Sequence, residues 1–475
     1  MSDQRDIIII GAGAAGMNAA YVAAEPGLAV TVVDANPCPG GQYHRRGALE
    51  QRYRPSGCSD ENRWARVEIL SGQQVYAVNS MPDTGHVLVR MRGDERHPHE
   101  IGILRARALI VTTGAMDRQL AIPGWQLPGV MAGGGAQSLI KGSGVLPGQR
   151  TLVTGTGPFL LAVAASIVQA GGEVAAVIEA NAPAGLARHT RKMFPAAVAK
   201  TAEAARFAGI LARHRVPYLT RRRVTRIAAG AVDTQGRACV SEATVQRIDS
   251  QWQPKPGTEQ RFDVDCVTLG FGFTAQLDLL LQLGCAITDA PDGGLAVLVD
   301  ERQATSRPSV FAAGETTGIG GVDLASVEGR VAGLHAAAEL TGRAPATALV
   351  KSLHRQRRHL HGFATALALA FPVPTQWVND QPGETIVCRC EEITLGDIRS
   401  ARDDLGATDP RSIKLLTRAG MGWCQGRMCS FSVEGICGRQ ANVAAQAASA
   451  SRPVSVPVPL GAIARDENVM RESAQ

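Results

Sequence analysis

The sequence predicts an α/β protein with two Rossmann-like βαβ units followed by a small C-terminal α module. Two glycine-rich turns, at residues 11–16 and 155–160, each follow a short apolar strand and precede an apolar helix. Four cysteines in two tight pairs lie between residues 388 and 429. A chain of 475 residues is too long for one hydrophobic core and implies about three domains.

Composition excludes several classes of function. The net charge of +6 is spread along the chain, and no basic stretch carries interleaved aromatic residues, so we expect no nucleic-acid binding. The longest apolar stretch, residues 158–178, is interrupted by polar residues and glycines, which favours helix, turn and strand over a membrane span. With no N-terminal signal visible, we expect a cytoplasmic location, with peripheral attachment at the inner face of the membrane as an alternative.

The first βαβ unit begins with the apolar strand at residues 6–10. The following turn reads Gly11-Ala12-Gly13-Ala14-Ala15-Gly16. In such a turn Gly11 permits the sharp bend, Gly13 lets the backbone approach a pyrophosphate, and Gly16 lets the helix pack closely on the strand. The N–H groups at the helix start, at Ala14 and Ala15, then face the phosphates together with the positive end of the helix dipole.

An acid completes this first unit. The next strand, residues 29–33, ends at Asp34, eighteen residues after Gly16. A carboxylate at this position accepts hydrogen bonds from the adenosine ribose of a bound dinucleotide. Strand, turn, helix and acid together therefore predict a dinucleotide site, whereas the glycine pattern alone is also compatible with a purely structural turn.

The second βαβ unit departs from the pattern. Its turn reads Gly155-Thr156-Gly157-Pro158-Phe159-Leu160, so leucine occupies the third glycine position. Pro158 also removes an N–H group from the phosphate cradle, although Glu179 ends the next strand where a ribose-binding acid belongs. We therefore expect NAD(P) binding to be doubtful here, and favour a retained scaffold or an altered nucleotide site.

The C-terminal cysteines predict an iron–sulfur centre. Cys388, Cys390, Cys424 and Cys429 can supply the four thiolates of a [2Fe-2S] cluster, two per iron. In extended backbone both side chains of Cys388-Arg389-Cys390 leave on the same side, so two sulfurs could bind one iron. Structural zinc is the alternative, although zinc pairs usually read Cys-x-x-Cys, and unligated thiols are a third. A disulfide framework is disfavoured by the low density of ten cysteines in 475 residues.

Basic residues crowd the same segment. Arg389, Lys414, Arg418 and Arg427 all lie near the cysteines in sequence. Cations would ease reduction of an anionic cluster, while each of them taken singly also fits a solvated surface.

Three further motifs resemble those of two-dinucleotide flavoproteins, in which one Rossmann-like domain is inserted into another. The resemblance implies FAD in the first unit and NAD(P) in the inserted one. Residues 109–115 resemble the strand end that closes the flavin domain, which implies roles for Thr113 and Gly114. Residues 309–315 resemble the second FAD fingerprint, in which a strand ends in a glycine, here Gly314, and an acid, here Glu315, that hydrogen-bonds the ribityl chain.

The loop Pro39-Gly40-Gly41-Gln42 resembles one that places a glutamine beside the isoalloxazine in thioredoxin reductase-like proteins. The resemblance thus implies roles for Gly41 and Gln42, although Gln42 also fits a polar loop residue. The nearby His44 is a candidate for proton handling, with a solvated loop histidine as the favoured reading.

The C-terminal segment indicates which group of two-dinucleotide flavoproteins the chain resembles. Residues 414–429 are similar to the [2Fe-2S] module of bacterioferritin-associated ferredoxin. With residues 39–42, 122–130 and 314–318, they identify the chain as a member of one group. This group comprises the A (alpha) subunits of opine oxidases, hydrogen cyanide synthase and heteromeric proline or hydroxyproline dehydrogenases.

This resemblance implies a division of labour. A partner subunit, an amine-oxidase-like FAD flavoprotein, would oxidise an amine or amino acid, and this chain would relay the electrons to an acceptor. A small ferredoxin-like subunit is a further expected partner. We find no catalytic constellation in the sequence itself, so we assign no catalytic residue. Two alternatives stay open: a stand-alone NAD(P)H-dependent reductase of a ferredoxin or quinone, and an assembly subunit without turnover.

The motifs predict the following domains: an FAD domain in two parts (1–117 and 271–345), an inserted NAD(P)-binding-like domain (118–270), a linker (346–383), a [2Fe-2S] module (384–440) and a tail (441–475). The basic run at residues 354–359 in the linker predicts a solvated helix face.

Overall fold

A computed structural model describes residues 4–45, 47, 53–81, 85–93, 100–182, 197–232, 234–438 and 443–464. The chain divides into two compact units. The first contains Met1–Ala115, Ala275–Ala364 and Ala450–Gln475, and the second contains Met116–Thr274 and Thr365–Ser449. The cysteine module therefore belongs to the same compact unit as the inserted domain. The domain limits given above stay a prediction.

The strands are named in chain order. They are β1 (Gln4–Ile10), β2 (Val30–Asp34), β3 (Val67–Ser71), β4 (Gln74–Met81), β5 (His86–Arg92), β6 (Ile101–Val111), β7 (Ala115–Asp117), β8 (Val130–Ala132), β9 (Arg150–Gly155), β10 (Glu173–Glu179), β11 (Tyr218–Thr220), β12 (Arg222–Val232), β13 (Ala238–Arg247), β14 (Gln260–Asp263), β15 (Cys266–Gly270), β16 (Phe273–Ala275), β17 (Ile287–Asp289), β18 (Leu295–Val297), β19 (Val310–Ala312), β20 (Ile386–Cys388) and β21 (Ile393–Thr394).

The helices are named in the same way. They are α1 (Ala14–Ala23), α2 (Glu61–Trp64), α3 (Gly133–Ser143), α4 (Phe159–Gln169), α5 (Ala197–Arg213), α6 (Asp278–Gln282), α7 (Gly321–Thr341), α8 (Thr347–Ala370), α9 (Leu395–Asp403), α10 (Pro410–Thr417), α11 (Ser430–Ile436), α12 (Val443–Ala450) and α13 (Leu460–Ile463), with 3-10 helices at Gly314–Thr317 and Thr375–Val378.

The first unit is built on a seven-stranded sheet. Strands β3, β2, β1 and β6 run parallel, and β19 adds to the carboxyl end of β6 in the same direction. The amino end of β6 pairs instead with antiparallel β5, which continues to β4. Strand β6, eleven residues long, thus pairs with both the parallel and the antiparallel strands of the sheet. The carboxyl ends of β1, β6 and β19 meet at one edge, where ligands bind in open parallel sheets.

Apolar sequence explains this arrangement. The run Ile7–Ile9 is fully buried, as expected for a central parallel strand covered on both faces. Helix α1 consists mainly of small residues and packs against α7, where a Cβ on Gly329 would lie 2.0 Å from the Ala15 carbonyl oxygen. A larger residue at Gly329 would therefore push the two helices apart.

The second unit contains a parallel sheet of its own, in the order β11-β10-β9-β15-β8. A three-stranded antiparallel sheet, β12-β13-β14, belongs to the same unit. The repeated βαβ pattern read from the sequence thus folds as a second Rossmann-like sheet. No described helix is long and apolar enough to cross a membrane.

The cysteine module packs onto the core of this second unit. Val387, Ile398 and Phe431 join one hydrophobic cluster with Trp125 and Trp377. Two of its helices, α9 and α10, begin with capping residues that satisfy the first backbone N–H groups. Thr394 and Asp397 form a reciprocal capping box at α9, and Asp409 caps α10 just before Pro410. Short helices gain about 1 kcal/mol from each such cap, which suits a module with few residues.

Candidate functional site

The first glycine-rich turn has the shape that the sequence predicts. Gly11 adopts φ +107°, and a Cβ there would lie 2.4 Å from the Thr112 carbonyl oxygen. A Cβ on Gly16 would lie 1.8 Å from the Gly11 carbonyl oxygen. Both glycines are therefore required by the close approach of α1 to the strand ends.

Gly13 has a different environment. A Cβ at Gly13 would meet only the Gly41 Cα, at an ordinary 3.9 Å. Gly13 is also the N-cap of α1 and has no side chain to cap the helix, so it leaves the first N–H groups, including those of Ala14 and Ala15, uncapped. The turn therefore has room and donors for a phosphate, and these residues fit the pyrophosphate of FAD.

The loop at residues 40–41 borders this turn. The Gly40 N–H donates to the Ala12 carbonyl oxygen at 2.8 Å, and a Cβ on Gly41 would lie 2.9 Å from the Gly13 Cα. Gln42 follows as an exposed side chain. His44 stacks on the Tyr53 ring with centroids 4.5 Å apart. The structure thus brings Gly41 to the first turn and gives His44 an aromatic neighbour.

Asp34 lies buried at the end of β2. Its carboxylate accepts hydrogen bonds from the Ala12 N–H at 2.5 Å and from the Asn36 N–H at 2.6 Å. The Asn36 side-chain amide donates to the same carboxylate at 2.9 Å, and its oxygen accepts from Arg45 at 2.9 Å. The acid therefore lies against the glycine turn, as a ribose-binding group requires.

Of the two remaining flavin motifs, the one at Gly314 lies against helix α1 and the one at Thr113 and Gly114 bonds to Gln276. A Cβ on Gly314 would lie 3.0 Å from the Ala15 Cβ, so the second fingerprint lies against the first turn of α1. Glu315 is half-buried in the 3-10 helix that begins at Gly314. Thr113 donates its hydroxyl to the Gln276 carbonyl oxygen at 2.9 Å, and the Gln276 N–H donates to the Gly114 carbonyl oxygen at 2.9 Å.

Glu328 is an acid that the sequence analysis missed. It is 2% exposed and accepts hydrogen bonds from the Gly314 N–H at 3.0 Å and the Thr317 hydroxyl at 2.9 Å. Burial raises the pKa of this carboxyl, and Arg357 at 3.4 Å counteracts the rise. Arg357 belongs to the basic run expected to be a solvated helix face, so that expectation is wrong for this residue. The signal available in the sequence was an acid among the small and apolar residues that follow the fingerprint turn.

The second glycine-rich turn is held by Glu179. This carboxylate is 1% exposed and accepts hydrogen bonds from the Thr156 hydroxyl at 2.9 Å and from the N–H groups of Gly157 and Asn181, each at 2.8 Å. The Tyr218 hydroxyl donates to it at 3.4 Å. Burial raises the pKa of Glu179 to about 6, and these hydrogen bonds limit the rise.

A chain segment covers this second turn. The Asn181 amide donates to the Pro372 carbonyl oxygen at 3.0 Å as well as to the Thr156 hydroxyl at 2.7 Å. A Cβ on Gly157 would lie 3.9 Å from the Phe371 side chain. Residues 371–372 of the same compact unit thus lie beside this turn, and with Pro158 in place of an N–H donor the residues present fit NAD(P) poorly.

Leu160 explains how the second unit folds without its third glycine. A Cβ on Gly270, in the neighbouring strand β15, would lie 2.7 Å from the Leu160 Cδ2. The room for close packing between helix and sheet therefore comes from a glycine on the sheet. The βαβ fold survives, while the phosphate cradle has lost a donor at Pro158.

The cysteine pairs meet across the two sequence motifs. The Cys388 and Cys429 side chains are hydrogen-bonded to each other, as are those of Cys390 and Cys424. The contact with Cys429, together with the backbone N–H groups of Gly420, Glu391 and Cys390, lowers the pKa of Cys388 to about 5 against the effect of burial. Backbone donors aimed at a sulfur stabilise a thiolate, which suits an all-thiolate iron–sulfur cluster. Among the described residues, however, no three ligating side chains are placed to hold a single metal ion, so the structure shows two thiol pairs and not a converged ligand set.

The thiol contacts thus run between the two motifs, and the binding of one iron by Cys388 and Cys390 together stays a prediction. Strand β20 ends at Cys388, so the extended backbone does not continue to Cys390. The loop around the second motif is correspondingly bent, with positive φ at Arg418, Gly420, Gln425 and Gly426. A Cβ on Gly422 would lie 2.2 Å from the Cys390 Cβ, so only glycine fits there.

Comparison with known proteins places the chain in a family. Residues 5–342 match the pyridine nucleotide-disulphide oxidoreductase family, and residues 386–438 match the BFD-like [2Fe-2S] binding domain. The A subunit of opine oxidase from Agrobacterium tumefaciens is 30% identical over 91% of this chain and 85% of its own. The chain belongs to this oxidoreductase family, in the group that contains the A subunits of opine oxidases. Hydrogen cyanide synthase subunit HcnB from Pseudomonas aeruginosa is 31% identical over 89% of this chain and 90% of its own.

A solved structure shares the fold of this group member. L-proline dehydrogenase from P. horikoshii has a TM-score of 0.65 with 18% identity, covering 97% of this chain and 80% of that chain. The predicted fold class and the family resemblance are thereby confirmed, as is an FAD-type oxidoreductase with a [2Fe-2S] domain. The individual FAD-binding residues and cluster ligands stay a prediction.

Proposed function

We propose that this chain is the electron-transfer subunit of a heteromeric amine or amino-acid dehydrogenase of the opine, proline or hydroxyproline type. A partner subunit, an amine-oxidase-like FAD flavoprotein, oxidises the CH–NH or CH–NH₂ donor. This chain receives the electrons and passes them to an acceptor. The complex is proposed to work in the cytoplasm, with peripheral attachment at the inner face of the membrane as the alternative.

The altered second turn, with its proline in place of a phosphate donor, is the observation that carries this proposal. A stand-alone reductase would need NAD(P)H in the inserted domain, where Pro158 lacks a donor and residues 371–372 cover Gly157. Electrons from a partner subunit remove the need for that nucleotide. The opine oxidase and hydrogen cyanide synthase relatives are each named as one subunit of an enzyme, which supports such an assembly.

The chain's own groups would hold two cofactors. Gly13, Ala14 and Ala15 would present N–H groups to the FAD pyrophosphate, and Asp34 would accept from the ribose. Cys388, Cys390, Cys424 and Cys429 would bind the cluster. When bound, FAD takes up electrons in pairs and the cluster carries them one at a time.

Cluster loading tests the metal assignment. Anaerobically purified protein should contain about two irons and two labile sulfides per chain. Cys388→Ser and Cys424→Ser should lose this iron and keep FAD, with Cys285→Ser, a buried cysteine of the first unit, as the matched control. Stoichiometric zinc without labile sulfide in native material would contradict the assignment.

Reduction experiments test the relay. NADH and NADPH should leave the absorbance of the isolated chain at 450 nm essentially unchanged, and amines should give little or no dye reduction. Co-expressed with its partner subunit, the chain should form a stable complex in which opines, amino acids or hydroxyproline bleach both chromophores. Cys429→Ser should leave reduction of the partner's flavin intact and slow transfer to the acceptor. Full turnover by the isolated chain with NAD(P)H would instead favour the stand-alone reductase.

A further inference from the structure

Trp125, in the turn that precedes β8, contacts the first cysteine motif at two points. The residue is 1% exposed, and its indole N–H donates to the Ile386 carbonyl oxygen at 2.6 Å. Ile386 lies two residues before Cys388 on β20. After that cysteine, the Arg389 guanidinium lies over the Trp125 ring, 5.3 Å from its centroid. One buried side chain therefore binds the backbone before Cys388 and the side chain after it.

The turn that carries Trp125 is fixed to a strand of its own unit. The Trp125 N–H donates to the Ile122 carbonyl oxygen at 2.9 Å, which closes the turn. Gly124 adopts φ +88°, and a Cβ there would lie 2.0 Å from the Ile227 carbonyl oxygen on β12. The Ile227 N–H donates to the Pro123 carbonyl oxygen at 2.8 Å. The indole is thus carried by backbone that is bonded to a strand, which suits a side chain that positions another segment.

The same part of the chain also contacts the helix that follows the second cysteine motif. The Arg118 guanidinium lies over the Phe431 ring, 4.2 Å from its centroid, and both residues are buried. The Ala121 N–H donates to the Ser432 hydroxyl at 3.4 Å. Phe431 and Ser432 lie in the first turn of α11, two and three residues after Cys429. Both cysteine motifs are therefore flanked by contacts with one short segment.

Resting on the proposed iron–sulfur centre, we propose that residues 118–125, which we call the support segment, position both cysteine motifs for the cluster, with Trp125 as the main positioning residue. Groups that hold the ligands of a metal centre typically change its metal affinity by roughly 10- to 100-fold when they are replaced. The inserted domain, which has lost a phosphate donor at Pro158, then serves the cluster instead of a nucleotide.

Burial distinguishes the support segment from the other link between the motifs. Glu391 and Arg418 form an ion pair across the two motifs at 2.9 Å, but the Arg418 side chain is 67% exposed. Exposed ion pairs contribute little, because water and salt screen them. The indole N–H of Trp125 has its acceptor in a largely buried setting, where a lost hydrogen bond leaves the partner unsatisfied. The buried contacts therefore carry the positioning.

Two tryptophans of the same hydrophobic cluster provide a matched test. Trp125→Phe keeps a ring beside Arg389 and loses the N–H donor to Ile386. Trp252→Phe, the control, makes the same change at a residue that is 2% exposed and has Phe271 as its aromatic neighbour. In the full chain purified anaerobically, release of iron to excess ferrozine should be about tenfold faster in Trp125→Phe and unchanged in Trp252→Phe. The EPR spectrum of the dithionite-reduced cluster should change in Trp125→Phe alone, and urea unfolding gives the loss of global stability in each variant.

A second measurement does not need the cluster. In metal-free protein, iodoacetamide should alkylate the buried Cys388 about tenfold faster in Trp125→Phe than in the wild type, as measured by mass spectrometry, with the buried Cys285 of the first unit as internal control. Arg389→Lys keeps the charge and loses the planar stack on the indole, so it should give the same changes at smaller size. Ser432→Ala removes the acceptor of Ala121 and should speed iron release from the side of the second motif.

Wild-type rates of iron release and of Cys388 alkylation in Trp125→Phe would overturn the proposal. Equal acceleration in Trp252→Phe would do the same, because it would assign both effects to a general loss of core packing. Failure of the cluster assignment itself would appear separately, as wild-type protein without iron and labile sulfide. The alkylation of Cys388 would still test the support segment in that case.

Discussion

The two glycine-rich turns of this chain have nearly the same local design. Each strand ends in an acid followed by alanine and asparagine, Asp34-Ala35-Asn36 in the first unit and Glu179-Ala180-Asn181 in the second. Each acid accepts a hydrogen bond from an N–H of its glycine turn, Ala12 at 2.5 Å and Gly157 at 2.8 Å. The local structure by itself therefore does not separate a nucleotide site from its remnant.

The difference lies in the groups around each turn. The first turn is bordered by two glycines at positions 40 and 41, which leave its surface open beside Gly13. The second turn has a proline in place of an N–H donor, and its asparagine amide is bound to the Pro372 carbonyl oxygen. The comparison teaches that a Rossmann-like turn can keep its acid and its fold after it has lost a phosphate donor and gained contacts with a neighbouring segment.

The largest effect should come from filling the open turn. Gly13→Val should abolish FAD retention, because a branched side chain would occupy the position of the pyrophosphate. The described protein atoms leave room for a Cβ there, so the fold should tolerate the change better than at Gly11 or Gly16. Flavin absorbance at 450 nm and circular dichroism measure both effects. Gly209→Val, an exposed helical glycine with free space around it, is the control. A full flavin spectrum in Gly13→Val would show that the phosphate turn lies elsewhere.

Replacing the acid of each turn by alanine should affect FAD binding at the first turn and stability at the second. Asp34→Ala should weaken FAD binding by about 1.5–3 kcal/mol, roughly 10- to 150-fold in Kd, through loss of a charge-assisted hydrogen bond. Glu179→Ala should leave FAD affinity unchanged and destabilise the second unit, because Gly157 and Asn181 lose their acceptor. Titration of the apoprotein with FAD measures the change in affinity, and urea unfolding measures the change in stability. Equal losses of FAD in both variants would erase the proposed distinction.

The pKa of Glu179 predicts a dependence of stability on pH. Burial raises this pKa from 4.5 to about 6, so the folded state holds the proton more tightly than the unfolded state. The stabilisation is fully present below pH 4.5 and is lost as the pH rises through about 6. The free energy of unfolding should therefore change by about 2 kcal/mol between these limits relative to Glu179→Gln. Urea unfolding followed by tryptophan fluorescence measures this difference, and parallel pH profiles for the two proteins would contradict it.

The two asparagines should show the smallest effects. Asn36→Ala removes an amide that supports Asp34 and contacts Arg45, so it should weaken FAD binding by about 1 kcal/mol. Asn181→Ala removes the bonds to Pro372 and Thr156, so it should lower the stability of the second unit by about 1 kcal/mol and leave FAD unaffected. Each variant is the matched control for the other, measured by FAD titration and by urea unfolding. A loss of FAD in Asn181→Ala would contradict the assignment of the second turn to structure.

The sequence by itself determined the elements whose signals are local. The strands before both turns, the helices after them, the acids Asp34 and Glu179 and the two cysteine pairs follow from spacing, periodicity and residue chemistry. The weakness of the second nucleotide site was also visible, because Pro158 and Leu160 break a pattern confined to six residues. The family resemblance then supplied the expectation of FAD and of a partner subunit.

Other features depend on contacts between residues that are far apart in the sequence, and only the tertiary structure shows them. Residues 371–372 cover a turn more than two hundred positions earlier, Gly270 makes room for Leu160 from a neighbouring strand, and Glu328 holds the Gly314 turn from within a helix. The cysteines pair across their motifs because the short strand β20 ends at Cys388 and the second loop bends back through positive φ angles. Such contacts depend on which segments the fold brings together, and spacing along the chain does not encode that proximity.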